Sequence, residues 1–183
     1  MNIKETVLSI TKDICYISEA CAKSLMQLHS SDSSKVVSDE DYGSIICEFD
    51  YLFLHIIDRY AHMLCTEDVS HTFMETLGLY VINTRIASCT NVADKAMEEM
   101  RNNEIDSLNK RNVEYANYNK LYPDDGQETR NTLFWEFGKK ITTDYLHSAN
   151  PAEIVFCAHL GSDIVKKVKI DKLLKEMGRE PRK

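Results

Sequence analysis

The sequence predicts an all-α fold, a single-domain bundle of about six helices over residues 1–183 with mostly antiparallel neighbours. Three observations predict it. Apolar residues recur at steps of three and four through long stretches, the period of one helix face. Turn-forming residues gather into short breaks, such as HSSDSSK at 29–35 and PDDGQETR at 123–130. No segment alternates apolar and polar residues as a strand would, and no motif returns at a fixed period.

The first helix is read over 3–28. Ile3, Val7, Ile10, Ile14, Ile17, Cys21 and Leu28 form a seam at heptad spacing, with Ser24 its one polar interruption. At 1.5 Å per residue such a helix is about 40 Å long. The flanking positions show no regular alternation of charge, so the seam fits the first helix of a bundle better than a coiled coil. After the polar break, Ser38 followed by Asp39, Glu40 and Asp41 marks a start: a hydroxyl to cap free N–H groups, then acids at the positive end of the helix dipole.

Ser44–Cys65, the most hydrophobic stretch, is read as the central helix. At 100° per residue its side chains sort into two faces. Ile45, Ile46, Phe49, Leu52, Phe53, Ile56, Ile57, Tyr60, Met63 and Leu64 make a broad apolar face. Glu48, Tyr51, His55, Asp58, Arg59 and His62 fall opposite. Phe53 and Ile56 lie near the middle of the apolar face and are expected in the core.

Thr66, Glu67 and Asp68 open a third helix that carries Val69, Phe73, Leu77, Tyr80 and Val81 and ends near Cys89. The short connection predicts a hairpin with the central helix. The pattern from Asn91 to Leu121 stays helical but turns polar, with a weak spot at Arg101–Glu104. Asn109, Asn112, Asn117 and Asn119 are poor helix formers, so this helix must draw its stability from tertiary contacts. Asn131 or Thr132 opens a fifth helix with Leu133, Phe134, Phe137, Ile141 and Tyr145 inward. The run Asn150-Pro151-Ala152-Glu153 opens a sixth: a capping Asn, Pro at the first helical position, and Glu placed to close a capping box. A bend is expected near 169–171, a cap at Gly178 and a frayed tail at 179–183.

Composition narrows the function. The net charge of −7, from 29 acidic and 22 basic residues, argues against a nucleic-acid binder, which needs Lys and Arg on phosphates. Lys4, Glu5 and Thr6 interrupt any signal-peptide core, and no apolar run is long enough to span a membrane, so the expected location is cytoplasmic. The six cysteines have no close pairing and read as buried, reduced thiols.

Two sets of residues are candidates for function. Glu48, His55, Asp58 and His62 project from one side of the central helix, and such a stripe suits a divalent transition metal or a small ligand inside a bundle. One straight helix rarely supplies every ligand, so His71, His147 or His159 would have to face it. The plainer reading is a polar back that meets water. Tyr115, Tyr118 and Tyr122, set among asparagines, are the best candidate surface for a protein partner. No Glu-x-x-His pair of the carboxylate-bridged di-iron kind is present, and no glycine-rich phosphate loop. No cofactor is expected outside the metal alternative, and the reading leans away from an enzyme. The leading expectation is an acidic protein-binding or adaptor module, with a homodimer as one form of it; the alternative is a metal- or ligand-binding bundle.

Overall fold

The computed structural model describes residues 3–32, 36–88, 94–118, 120–121 and 131–167. Among them are six helices and no strand: α1 (Ile3–Asp32), α2 (Asp39–Leu64), α3 (Glu67–Ser88), α4 (Asp94–Ala116), α5 (Leu133–Asp144) and α6 (Pro151–Lys167). The expected loop at 123–130, the bend, the Gly178 cap and the tail lie outside the described residues, as do Cys89 and Tyr122. No described helix is long and apolar enough to cross a membrane.

One apolar cluster draws on all six helices, and α2 touches each of the other five. Only Cys65 and Thr66 separate α2 from α3, and the pair runs antiparallel: His62 meets Ser70 near the turn, while Asp50 meets Arg85 at the far end. Phe53 and Ile56 are buried as expected. Phe49 is fully enclosed, its ring 5.0 Å from that of Phe137 and 6.1 Å from that of Phe53.

Of the seam of α1, Val7, Ile10, Ile14 and Cys21 are buried as expected, whereas Ile17 and Leu28 are only half-buried. Two rows beside it, Thr11, Ser18 and Leu25, and Cys15, Ala22 and His29, are buried as well, so the inward face is broader than a single heptad line. The helix also runs four residues beyond the expected end. His29 is buried against Glu153 of α6, with Nδ1 and Oε1 2.8 Å apart, and this long-range pair prolongs α1 through a stretch whose local sequence favours a turn.

Two starts form as the sequence dictates. The Asp41 N–H donates to Ser38 Oγ at 3.0 Å, and the Ala152 N–H donates to Asn150 Oδ1 at 3.0 Å. The capping box on α6 does not close. Glu153 turns inward to His29, and the Asn150 N–H donates to Ser148 Oγ at 3.1 Å instead. The weak spot at Arg101–Glu104 is unbroken helix. Tertiary ties hold it: Arg101 Nε donates to Asn83 Oδ1 at 2.8 Å, and Glu104 accepts from the Tyr51 hydroxyl.

The α5–α6 contact is close enough to exclude a methyl group. A Cβ on Gly138 would stand 2.5 Å from the Ile154 carbonyl oxygen, whereas nothing lies within 4 Å of one on Gly43 in α2. Gly138→Ala is expected to lose about 1–3 kcal/mol through overpacking. Gly43→Ala is expected to gain up to about 1 kcal/mol from helix propensity. Urea midpoints of the two variants moving in the same direction would contradict this packing.

Candidate functional site

From Glu48 to Ile57 every side chain of α2 is buried, so the first half of the polar stripe does not meet water. What covers it is α4, whose one buried residue is Tyr115. The two helices meet along a polar seam. Arg111 clamps Glu48 with Nη2 2.6 Å from Oε1 and Nε 2.8 and 2.9 Å from the two oxygens. The Tyr115 hydroxyl donates to Oε2 at 3.1 Å and the Tyr145 hydroxyl to Oε1 at 2.9 Å. A carboxylate taken out of water needs this many donors to offset its lost hydration. On the other flank, Asp50 is clamped by Arg85 at 2.7 and 3.0 Å, and Arg85 also donates to Glu19 Oε1 at 2.6 Å and to the Cys15 carbonyl at 2.9 Å. Nothing in the residue pattern singles out Asp50, Arg85 or Arg111. The available signal was two acids, Glu48 and Asp50, set among the large apolar residues of α2, which calls for a cation beside each.

About two turns beyond the Glu48 clamp, His55 is only 5% exposed and meets the Tyr115 ring edge-on, with centroids 5.6 Å apart. Its Nε2 has no hydrogen-bond partner among the described residues, nor has Oδ1 of the neighbouring Asn112. Burial holds the imidazole down to about 4; the positive charge of Arg59 adds to this, and the Asn112 side chain acts in the opposite sense. The imidazole is therefore neutral at neutral pH. Because its folded value lies below the unfolded one, near 6.5, the unfolded chain binds the extra proton first as pH falls. The stability His55 contributes is complete above about pH 6.5 and is lost on descent to about 4, by up to about 3 kcal/mol. Asp58, whose carboxyl burial pushes up, works in the opposite sense over the acidic range. Stability measured against pH for wild type and His55→Leu isolates the histidine: the difference should change through that window, and a flat difference would refute a neutral, enclosed His55.

Past His55 the cover of α4 opens into two grooves. One, of about 590 Å³, is walled by His55, Arg59, Tyr60, Met63, Ala116 and Leu121. The other, of about 470 Å³, lies between α2, α3 and α4, with a floor that includes Leu54, Ile82 and Leu108. Asp58 and His62 line both. His62 Nδ1 lies 3.1 Å from Asp58 Oδ1, 3.0 Å from the Asp58 carbonyl oxygen and 3.4 Å from Ser70 Oγ. These three residue types also make hydrolytic triads, but a triad uses both ring nitrogens, one for the acid and one for the nucleophile. Here a single nitrogen faces both, and no proton relay runs through it.

The four expected metal ligands do not come together. Glu48 to His62 spans about 21 Å along one helix, and the Glu48 oxygens are taken by Arg111, Tyr115 and Tyr145. His71 lines the second groove with His62, while His147 and His159 are exposed. Among the described residues, no group of three or more His, Cys, Asp or Glu side chains is placed to hold a metal ion. The tyrosine surface is also redrawn. Tyr115 is inside, drawn in by Glu48; Tyr118 is half-buried, and its carbonyl accepts from Arg59 at 3.1 Å; Tyr122 lies outside the described residues. Burial raises the thiols of Cys15, Cys47, Cys65 and Cys157, Cys15 to about 11, which leaves them protonated and unreactive at neutral pH.

The fold and the grooves place the chain in the broad class of all-α bundles with a cleft between helices. No protein-family model, curated protein or solved structure matches it.

Proposed function

We propose that this protein is a ligand-binding helical bundle that takes a small organic molecule in the grooves beside the C-terminal half of α2. The observation that carries the reading is the pair of grooves meeting at Asp58 and His62. Each falls within the range of about 300–1,000 Å³ common for small-molecule sites, and their mixture of apolar wall and a few polar groups is the usual chemistry of such sites. The enclosed, neutral His55 on one wall supports it, since a buried ring nitrogen with no hydrogen-bond partner among the described residues calls for an explanation.

A thermal-shift screen of a fragment library tests the reading, run on wild type and on two groove-filling variants. Ala116→Trp fills the first groove and Leu79→Trp the second, both from exposed positions. The expected result is a set of stabilising fragments whose effect disappears in one variant or the other. Fragments that stabilise both variants as well as wild type would remove the groove as the site and favour the partner-binding class suggested by charge and fold.

A further inference from the structure

The groove between α2, α3 and α4 also carries information about what it takes. Among the described residues that line it, the charged ones are Asp58 and Glu75, and none is Lys or Arg. The titratable groups facing it are these two acids with His62 of α2 and His71 of α3; α4 contributes Asn109 and Asn112. The Asp58 side chain is 34% exposed, so its charge is partly stripped of water, and its imidazole neighbour, His62, is 59% exposed. Asn112, whose Oδ1 has no hydrogen-bond partner among the described residues, lines the same wall. Below these polar groups the floor is aliphatic. The chain as a whole carries a charge of −7, which draws cations and repels anions before contact.

We propose that this groove binds an amphipathic amine, with its ammonium against Asp58 and Glu75 and its hydrocarbon body on Leu54, Ile82 and Leu108. The chemistry is complementary at both ends. An ammonium offers three N–H donors and no acceptor, which suits a wall of carboxylate and amide oxygens. A charge-assisted hydrogen bond to a half-dehydrated carboxylate is roughly twice as strong as a neutral one. The hydrocarbon leaves water for an aliphatic floor. A carboxylate ligand would meet two like charges, with no Lys or Arg among the described lining residues to offset them. The proposal rests on the small-ligand reading above and narrows it to one groove and one charge.

The test is calorimetric titration of the full chain at pH 7 with n-hexylamine, 1-hexanol and hexanoate, which share a tail and differ in head group. The amine should bind about tenfold tighter than the alcohol, and hexanoate more weakly than either. Asp58→Asn should bring the amine down to the level of the alcohol and leave the alcohol unchanged, and Leu79→Trp should remove both. If Asp58→Asn loses its helical circular dichroism, Glu75→Gln on the exposed rim carries the same comparison, with a loss of a few fold for the amine alone. Alcohol or hexanoate binding in this groove as tightly as the amine overturns the proposal and leaves the small-ligand reading standing. So does an amine that fails to bind while library fragments do. Failure of the whole series together with an empty fragment screen overturns both.

Discussion

Glu48→Ala is expected to destabilise the protein by about 3–5 kcal/mol, the range for breaking a buried ion pair from one side. The substitution removes the acceptor of three donors at once: the Arg111 guanidinium and the hydroxyls of Tyr115 and Tyr145. Arg111 is 15% exposed and retains Glu114 at 3.0 Å, so part of its charge is still met, and the lower half of the range is the better expectation. The loss comes mainly from stranding the cation. Replacing both partners, Glu48→Met with Arg111→Met, should therefore recover most of it. Urea denaturation of the single and double variants separates the cases. A single-variant loss under about 1 kcal/mol would mean that water reaches the seam.

Phe49→Ala should cost a similar amount, about 3–5 kcal/mol, for a different reason. The ring is fully enclosed, with Phe137 edge-on to it and Phe53 one turn on. The walls of the resulting cavity cannot close readily. Phe137 belongs to α5, and α5 is already pressed on α6 at Gly138. Phe49→Leu should restore more than half of the loss by refilling most of the volume. Equilibrium unfolding in urea measures both, and an alanine variant within about 1 kcal/mol of wild type would place the centre of the core elsewhere.

The apolar side of α2 was legible from residue spacing because periodicity alone decides which side chains share a face. Phe49, Phe53 and Ile56 are buried, and the starts at Ser38 and at Asn150-Pro151 form where local chemistry puts them. The other side was not legible. A helical wheel groups Glu48, His55 and Asp58 but says nothing about what lies over them. That is decided by α4, through partners such as Arg111 and Tyr115, 63 and 67 residues further along the chain. The same limit explains His29 and Glu153, separated by 124 residues, whose pairing both extends α1 and cancels the capping box of α6. In α1 the seam located Val7, Ile10, Ile14 and Cys21, but the buried rows beside it were missed because Thr11, Ser18 and His29 carry no apolar signal.

Helix α4 brings one buried side chain to the core, Tyr115, with Leu108 packed beside it, and the rest of its attachment includes a set of hydrogen bonds and ion pairs. Such an element forms its own cooperative unit, able to swing off while the other five helices hold. In amide hydrogen exchange, α4 should open at a free energy below that of global unfolding and with a weaker dependence on urea, because opening exposes less surface than complete unfolding does. The middle of α2 should exchange only through complete unfolding, with a steep dependence. Glu48→Ala should speed exchange in α4 before it is felt elsewhere. Each such opening would uncover Glu48, Tyr51 and His55, so exchange from the interior of this bundle is expected first along one seam.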